Sequence, residues 1–182
     1  MNVEILNMQK TRLGLVVFTL LLSMTVYGCS SERSSPHKIN LLDVIGEGDI
    51  AAVQQHLNAG TKTEQWIPDG YRWAGAAPLH LAVVLCNQNI IQLLLDNGAS
   101  IDVKAKDQPG GTPLQWAAFF AKLDITKLLV TAGADINAKD NNGCTPLCAT
   151  TVENPFVPKE DLEYHKKKFT TIQGFLKGNG AR

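Results

Sequence analysis

The stretch Thr112-Pro113-Leu114-Gln115-Trp116-Ala117-Ala118, closed by Leu128-Leu129-Val130-Thr131-Ala132-Gly133-Ala134-Asp135-Ile136-Asn137, decides how this chain folds. Its first half recurs on both sides, as Ala77-Pro78-Leu79-His80 and Thr145-Pro146-Leu147-Cys148, with the prolines 35 and 33 residues apart. Its second half recurs upstream as Leu93-Leu94-Leu95-Asp96-Asn97-Gly98-Ala99. A period of this length marks a stack of like units, each too small to bury its apolar face alone. Inside each unit the proline falls in the first helical turn, where a missing N–H costs nothing. Thr112 and Thr145 can cap the helices that follow them. Gly98 and Gly133 end a leucine-rich helix where a left-handed residue is needed.

These blocks resemble the ankyrin repeat, whose consensus runs from Asp-x-x-Gly-x-Thr-Pro-Leu-His through a leucine pair to Gly-Ala-Asp-x-Asn. The resemblance covers about residues 39–154. It implies an all-α solenoid of about four helix pairs, with short β-hairpin fingers and a helical C-terminal cap. It also implies that His80 bonds neighbouring backbone and is no catalytic base. The domain then spans 39–182: an atypical N-terminal repeat 39–66, repeats 67–106 and 107–139, and a degenerate repeat with its cap at 140–182. Asn154-Pro155 is expected to stop the last inner helix, and Pro158 to prolong the break. Leu162, Phe169, Ile172, Phe175 and Leu176 then fall at helical spacing, predicting a capping helix over 160–176 with Lys166-Lys167-Lys168 on its solvated face.

Residues 1–28 read as an export signal. Lys10 and Arg12 precede a 14-residue uncharged run, Leu13 to Val26. A membrane-spanning helix needs roughly 20 apolar residues, so the run suits a signal peptide's core. Val26-Tyr27-Gly28-Cys29 resembles the bacterial lipobox, which implies cleavage before Cys29 and its lipidation (a palmitate-bearing anchor). Residues 29–38, Ser-rich, then form the tether to the folded domain. Ser30, where an Asp would favour the inner membrane, points to the periplasmic face of the outer one. Starts at Met1 and Met8 both keep this signal, whereas a start at Met24 would leave a cytosolic domain.

Composition removes several classes of function. The 182 residues are 45% hydrophobic and 19% charged, which excludes wholesale disorder. Lys plus Arg and Asp plus Glu are 17 each, without the basic excess of a nucleic-acid binder. No nucleophile elbow, phosphate-cradling loop or zinc-protease motif is present, and the four His are scattered. The chain therefore reads as no enzyme, with no cofactor and no metal site. Cys86, Cys144 and Cys148 are expected as buried free thiols, a Cys144–Cys148 bridge across a helix start being the strained alternative.

Binding residues follow from the repeat register. The two positions after each inner-helix core are Val84-Leu85, Phe119-Phe120 and Val152-Glu153, an apolar stripe facing the groove. Phe119 or Leu85 can alternatively turn inward to fill the core. Gly60 to Pro78 is 18 residues, against 15 from Gly98 to Pro113 and 13 from Gly133 to Pro146. This longer first finger carries Trp66, Tyr71, Arg72 and Trp73, residue types enriched at binding hot spots. Packing of those rings on the finger base is the alternative. Lys104, Lys106, Gln108, Asn141 and Asn142 on the other finger turns supply a polar rim.

The expected function is non-enzymatic protein binding by a lipid-anchored chain that is monomeric when free. By its build the chain resembles ankyrin-repeat lipoproteins that serve as immunity proteins against lipase or phospholipase effectors of the type VI secretion system. A periplasmic scaffold or a catalase-linked stress-protection module is the alternative.

Overall fold

The computed structural model describes residues 40–152, 154–155 and 159–182, where eight α-helices follow one another and no strand occurs. They form four pairs: α1 (Leu41–Glu47) with α2 (Ile50–Asn58), α3 (Pro78–Val84) with α4 (Gln88–Asp96), α5 (Pro113–Phe119) with α6 (Leu123–Thr131), and α7 (Pro146–Ala149) with α8 (Leu162–Gly178). The first member of each pair packs on the first member of the next, making an inner row. Cys29 and the segments 1–28 and 29–38 lie outside the described residues, as do Glu153 and Pro158.

Local chemistry starts and stops these helices. Asn40 and Asp43 form a reciprocal capping box at α1. Thr112 and Gln115 do the same at α5, and Thr145 caps α7 through the Cys148 N–H. Prolines 78, 113 and 146 stand at the first helical position, as the sequence predicts. Gly133 has φ 94°, its N–H bonded to Val130 O, while Ala134 N–H reaches Leu129 O. A Cβ there would meet nothing within 4 Å, so only the backbone conformation resists substitution. Gly133→Val should therefore cost more than about 1 kcal/mol through strain alone. An unchanged melting temperature would mean this left-handed residue does not hold the end of α6.

The main core runs through α1 to α6 and includes Leu41, Ile45, Leu79, Ile90, Ile91, Leu94, Leu114 and Leu129, all essentially without solvent contact. A second cluster, with Ala118, Ala121, Ala149, Ile172 and Leu176, seats α8 against α5 to α7. Phe169 and Phe175 pack at its margin, whereas Leu162 stays exposed. The cap helix thus runs two residues later than the 160–176 expected from spacing. Lys166 and Lys167 are solvent-exposed, Lys166 pairing with Glu163 across one turn.

Two local expectations need correction. The last inner helix ends at Ala149, well before Asn154-Pro155. The Thr150 and Thr151 hydroxyls donate to Leu147 O and Cys148 O, satisfying carbonyls that a longer helix would have used. The cysteines also differ. Cys144 and Cys148 form a disulfide, and Cys86 is an exposed thiol at a left-handed residue (φ 58°) between α3 and α4. The extended backbone of Thr145 folds the finger back over the first turn of α7, bringing the two Cα atoms to 5.4 Å, inside bridging range.

Candidate functional site

The fingers between pairs are turns clipped to one another by backbone. The first is closed by Ile67 N–H to Ala76 O (2.9 Å) and Gly75 N–H to Ile67 O (2.8 Å). Lys106 N–H joins the second finger to Gly75 O at 2.7 Å, and Asn141 N–H joins the third to Pro109 O at 2.8 Å. Side chains add ties one repeat apart: Asn141 Nδ2 donates to Gln108 O, and Asp102 accepts from Asp135 N–H.

The fourth residue of each Thr-Pro-Leu block ties its helix to a finger. His80 accepts the Ala77 N–H at Nδ1 (3.2 Å) and donates from Nε2 to Gly111 O in the next finger (2.9 Å). Burial pushes its pKa down to about 4, against a smaller opposing effect of the Gly111 bond, so the ring is neutral at pH 7. Gln115 makes the same pair of ties, accepting from Thr112 N–H and donating to Cys144 O. Cys148 has no further finger to reach and bonds covalently to its own. The reading of His80 as structural holds on this geometry.

Between the fingers and the inner helices lies a groove of about 680 Å³. Trp73, Trp116, Phe119, Phe120 and Val152 provide its apolar wall, and the bridged Cys144 and Cys148 also line it. Trp73 stands at φ 68°, a conformation that costs a bulky residue about 1–3 kcal/mol, and its ring meets Phe120 edge-on at 5.2 Å and Trp116 at 5.8 Å. Phe119 and Phe120 are half-buried and pack edge to face at 5.0 Å. Phe119 also touches the second core, so it serves both roles weighed for it.

The structure gathers some of the expected binding residues and leaves others apart. Trp73, Phe119, Phe120, Asn142 and Val152 share the groove. Val84 and Leu85 do not line it, although Leu85 is 45% exposed. Gln108 and Asn141 are exposed on the finger turns beside it. Tyr71, 70% exposed, stands with Arg72 at the tip of the first finger, the Arg72 guanidinium lying 4.8 Å from the Trp73 ring centre. Trp66 sits at the finger base under Lys106, whose Nζ is 3.5 Å from its ring centre. Its Nε1 is buried without an acceptor among the described residues, so packing is its visible role.

Ankyrin repeats in three copies match residues 41–140, more than half the chain. The chain belongs to the ankyrin-repeat family. Mouse protein phosphatase 1 regulatory subunit 27 is 32% identical over 111 residues, 61% of this chain and 68% of that protein. Arabidopsis thaliana serine/threonine-protein kinase 12 is 27% identical over 141 residues, 77% of this chain but 27% of the kinase. The Drosophila melanogaster Neurogenic locus Notch protein is 45% identical over 60 residues, 33% of this chain and 2% of that protein. Ankyrin repeats imply a protein-binding scaffold, typically a non-enzymatic one, and hence a protein partner for this chain.

Within the ankyrin stack, sequence reasoning passed over Trp116. It lies on α5, four residues before the capping Phe120, the spacing that places two side chains on one helix face, and that is the available signal. Asp107 and Asp140, at the positions where the repeat consensus opens on Asp, also line the groove. Among the described residues no His, Cys, Asp and Glu group could hold a metal, and no helix is long and apolar enough to cross a membrane.

Proposed function

We propose that this chain is a lipid-anchored ankyrin protein of the periplasm that binds and neutralises a secreted lipase or phospholipase, as an immunity protein of the type VI secretion system does. The groove carries the reading: a concave apolar wall of Trp73, Trp116, Phe119 and Phe120 is shaped to cover the exposed substrate mouth of a lipid-cleaving enzyme. Such an enzyme acts on periplasm-facing lipids, so its inhibitor must be tethered there, with Cys29 as the acylated residue and the outer membrane as the site. The Cys144–Cys148 disulfide supports an oxidising compartment, because such bridges seldom persist in the cytosol. The phosphatase-regulatory relative is itself named as a regulatory subunit, which fits a role in controlling an enzyme rather than being one.

The direct test looks for a lipase-fold effector encoded beside this chain, mixes the two purified proteins and follows ester hydrolysis. Stoichiometric inhibition is expected, and full activity at molar excess would refute the immunity reading. Truncating Phe120 to Ala should weaken the complex by about 2 kcal/mol, roughly thirtyfold, while helical circular dichroism persists. Changes at Gln92 or Lys127 on the outer helices should leave affinity unaltered. Cys29→Ala should move the protein from membrane to soluble fractions, and membrane retention without an uncleaved signal would remove the lipid anchor from this account.

A further inference from the structure

We infer that the groove is built for a cation-bearing apolar segment, which seats an apolar side chain against Trp116 and Phe120 and sets Lys or Arg beside Asp107 and Asp140. The inference rests on the groove being the partner site and adds the partner's chemistry. Among the described residues lining the groove, the acidic and basic side chains are these two aspartates alone. Each spends one oxygen on its own turn. Asp107 Oδ1 accepts the Gly110 N–H at 2.8 Å, and Asp140 Oδ1 accepts the Asn142 and Cys144 N–H groups, each at 2.8 Å. Among the described residues neither carboxylate forms an ion pair, and the ion pair present is Lys166 with Glu163, on α8. Nearby cations are placed otherwise, Lys106 over Trp66 and Arg72 over Trp73, while Lys104 and Lys139 are solvent-exposed.

Asp107 and Asp140 are half-buried, so water still reaches them. A partner seated on the groove removes that water. A neutral apolar partner would strand two charges, and an acidic one would add repulsion. A cation replaces the lost hydration and turns the same desolvation into a gain. The two carboxylates lie 33 residues apart on neighbouring fingers that Asn141 N–H and Pro109 O hold together. A segment running along the fingers therefore meets both in turn.

The test titrates the full chain with three synthetic peptides of equal length, each with a Leu-Phe-Leu centre flanked by Lys, Glu or Ser. Tryptophan emission reports binding, since Trp73 and Trp116 both line the groove. The Lys-flanked peptide should bind at least roughly tenfold more tightly than the Glu-flanked one, with the gap shrinking as salt is added. The paired change Asp107→Asn and Asp140→Asn keeps the side-chain acceptors for both turns and removes the charges, so it should abolish the preference without loss of helicity. Equal binding of the Ser-flanked or Glu-flanked peptide, a Lys preference that survives in the double variant, or binding of none of the three would each overturn the inference. Phe120→Ala separates it from the broader reading. Peptides that bind without charge preference, but are lost in Phe120→Ala, overturn the charge inference and keep the groove. Peptide binding untouched by Phe120→Ala overturns both.

Discussion

Gly75→Ala should cost more than about 3 kcal/mol, enough to melt a domain of ordinary stability well below its normal transition. A Cβ at this position would stand 2.5 Å from Asp107 N and 2.8 Å from the Lys106 carbonyl carbon. Both are backbone atoms of the next finger, so no side-chain rotation relieves the contact. The φ of +80° adds strain of its own. The close approach exists because Gly75 O accepts the Lys106 N–H at 2.7 Å, the bond that clips the first finger to the second. Gly133→Val is the matched comparison: it shares the positive φ but opens into empty space. Thermal unfolding followed by circular dichroism should place Gly75→Ala far below Gly133→Val. Equal melting temperatures would show that the fingers do not approach through backbone at Gly75.

His80→Ala should destabilise by about 3 to 5 kcal/mol, because it strips two buried partners and leaves a cavity at a fully buried site. The Ala77 N–H and the Gly111 carbonyl would both lose their bonds to the ring. His80→Gln should retain most of the stability at pH 7, since Gln115 performs the same two ties one repeat later. The pair also separates by pH. The folded pKa is lowered from the ordinary 6.5 to about 4, mainly by burial. Below pH 6.5 the unfolded chain takes up a proton that the folded one refuses, so stability falls with pH and levels off below 4. The full difference is up to about 3 kcal/mol. Denaturant titrations between pH 7 and pH 4 should show this slope in the parent protein and a shallower one in His80→Gln. An equal slope in both would assign the acid sensitivity to other groups.

Most of the fold was readable because ankyrin architecture is written in local rules repeated down the chain. A threonine cap, a proline at the first helical position, a leucine pair and a closing glycine each act within one or two helical turns, and the structure places them as expected. The atypical ends followed from the same logic, an exposed terminal unit needing a helical cap. The end of α7 was misjudged because prolines are conspicuous, whereas two threonine hydroxyls that bond back to carbonyls leave only a faint trace in sequence.

The candidate site was legible in part. Aromatic residues in a lengthened finger and at the ends of inner helices pointed to the right face, and Trp73, Phe119 and Phe120 do meet there. The same spacing rule placed Val84 and Leu85 with them, but the groove's lining begins at Trp73 and runs toward the C-terminal repeats. Trp116 joined the cluster without having been singled out, since its importance comes from a ring 43 residues away in sequence.

What the amino-acid order settled is therefore the repeat, its caps and its apolar core, all of which depend on neighbours along one helix or one turn. The stacking of units decided the rest. It brought Trp73 of the first finger onto Trp116 of α5 and the Phe120 that caps it, held Gly75 against the backbone of Lys106 and Asp107, and assembled two repeat-spaced carboxylates along one apolar wall. These contacts join residues of different repeats, far apart in sequence, and their geometry depends on the rotation and approach of whole helix pairs. That rotation is set by the summed packing of a buried core, a quantity no single residue or local period encodes.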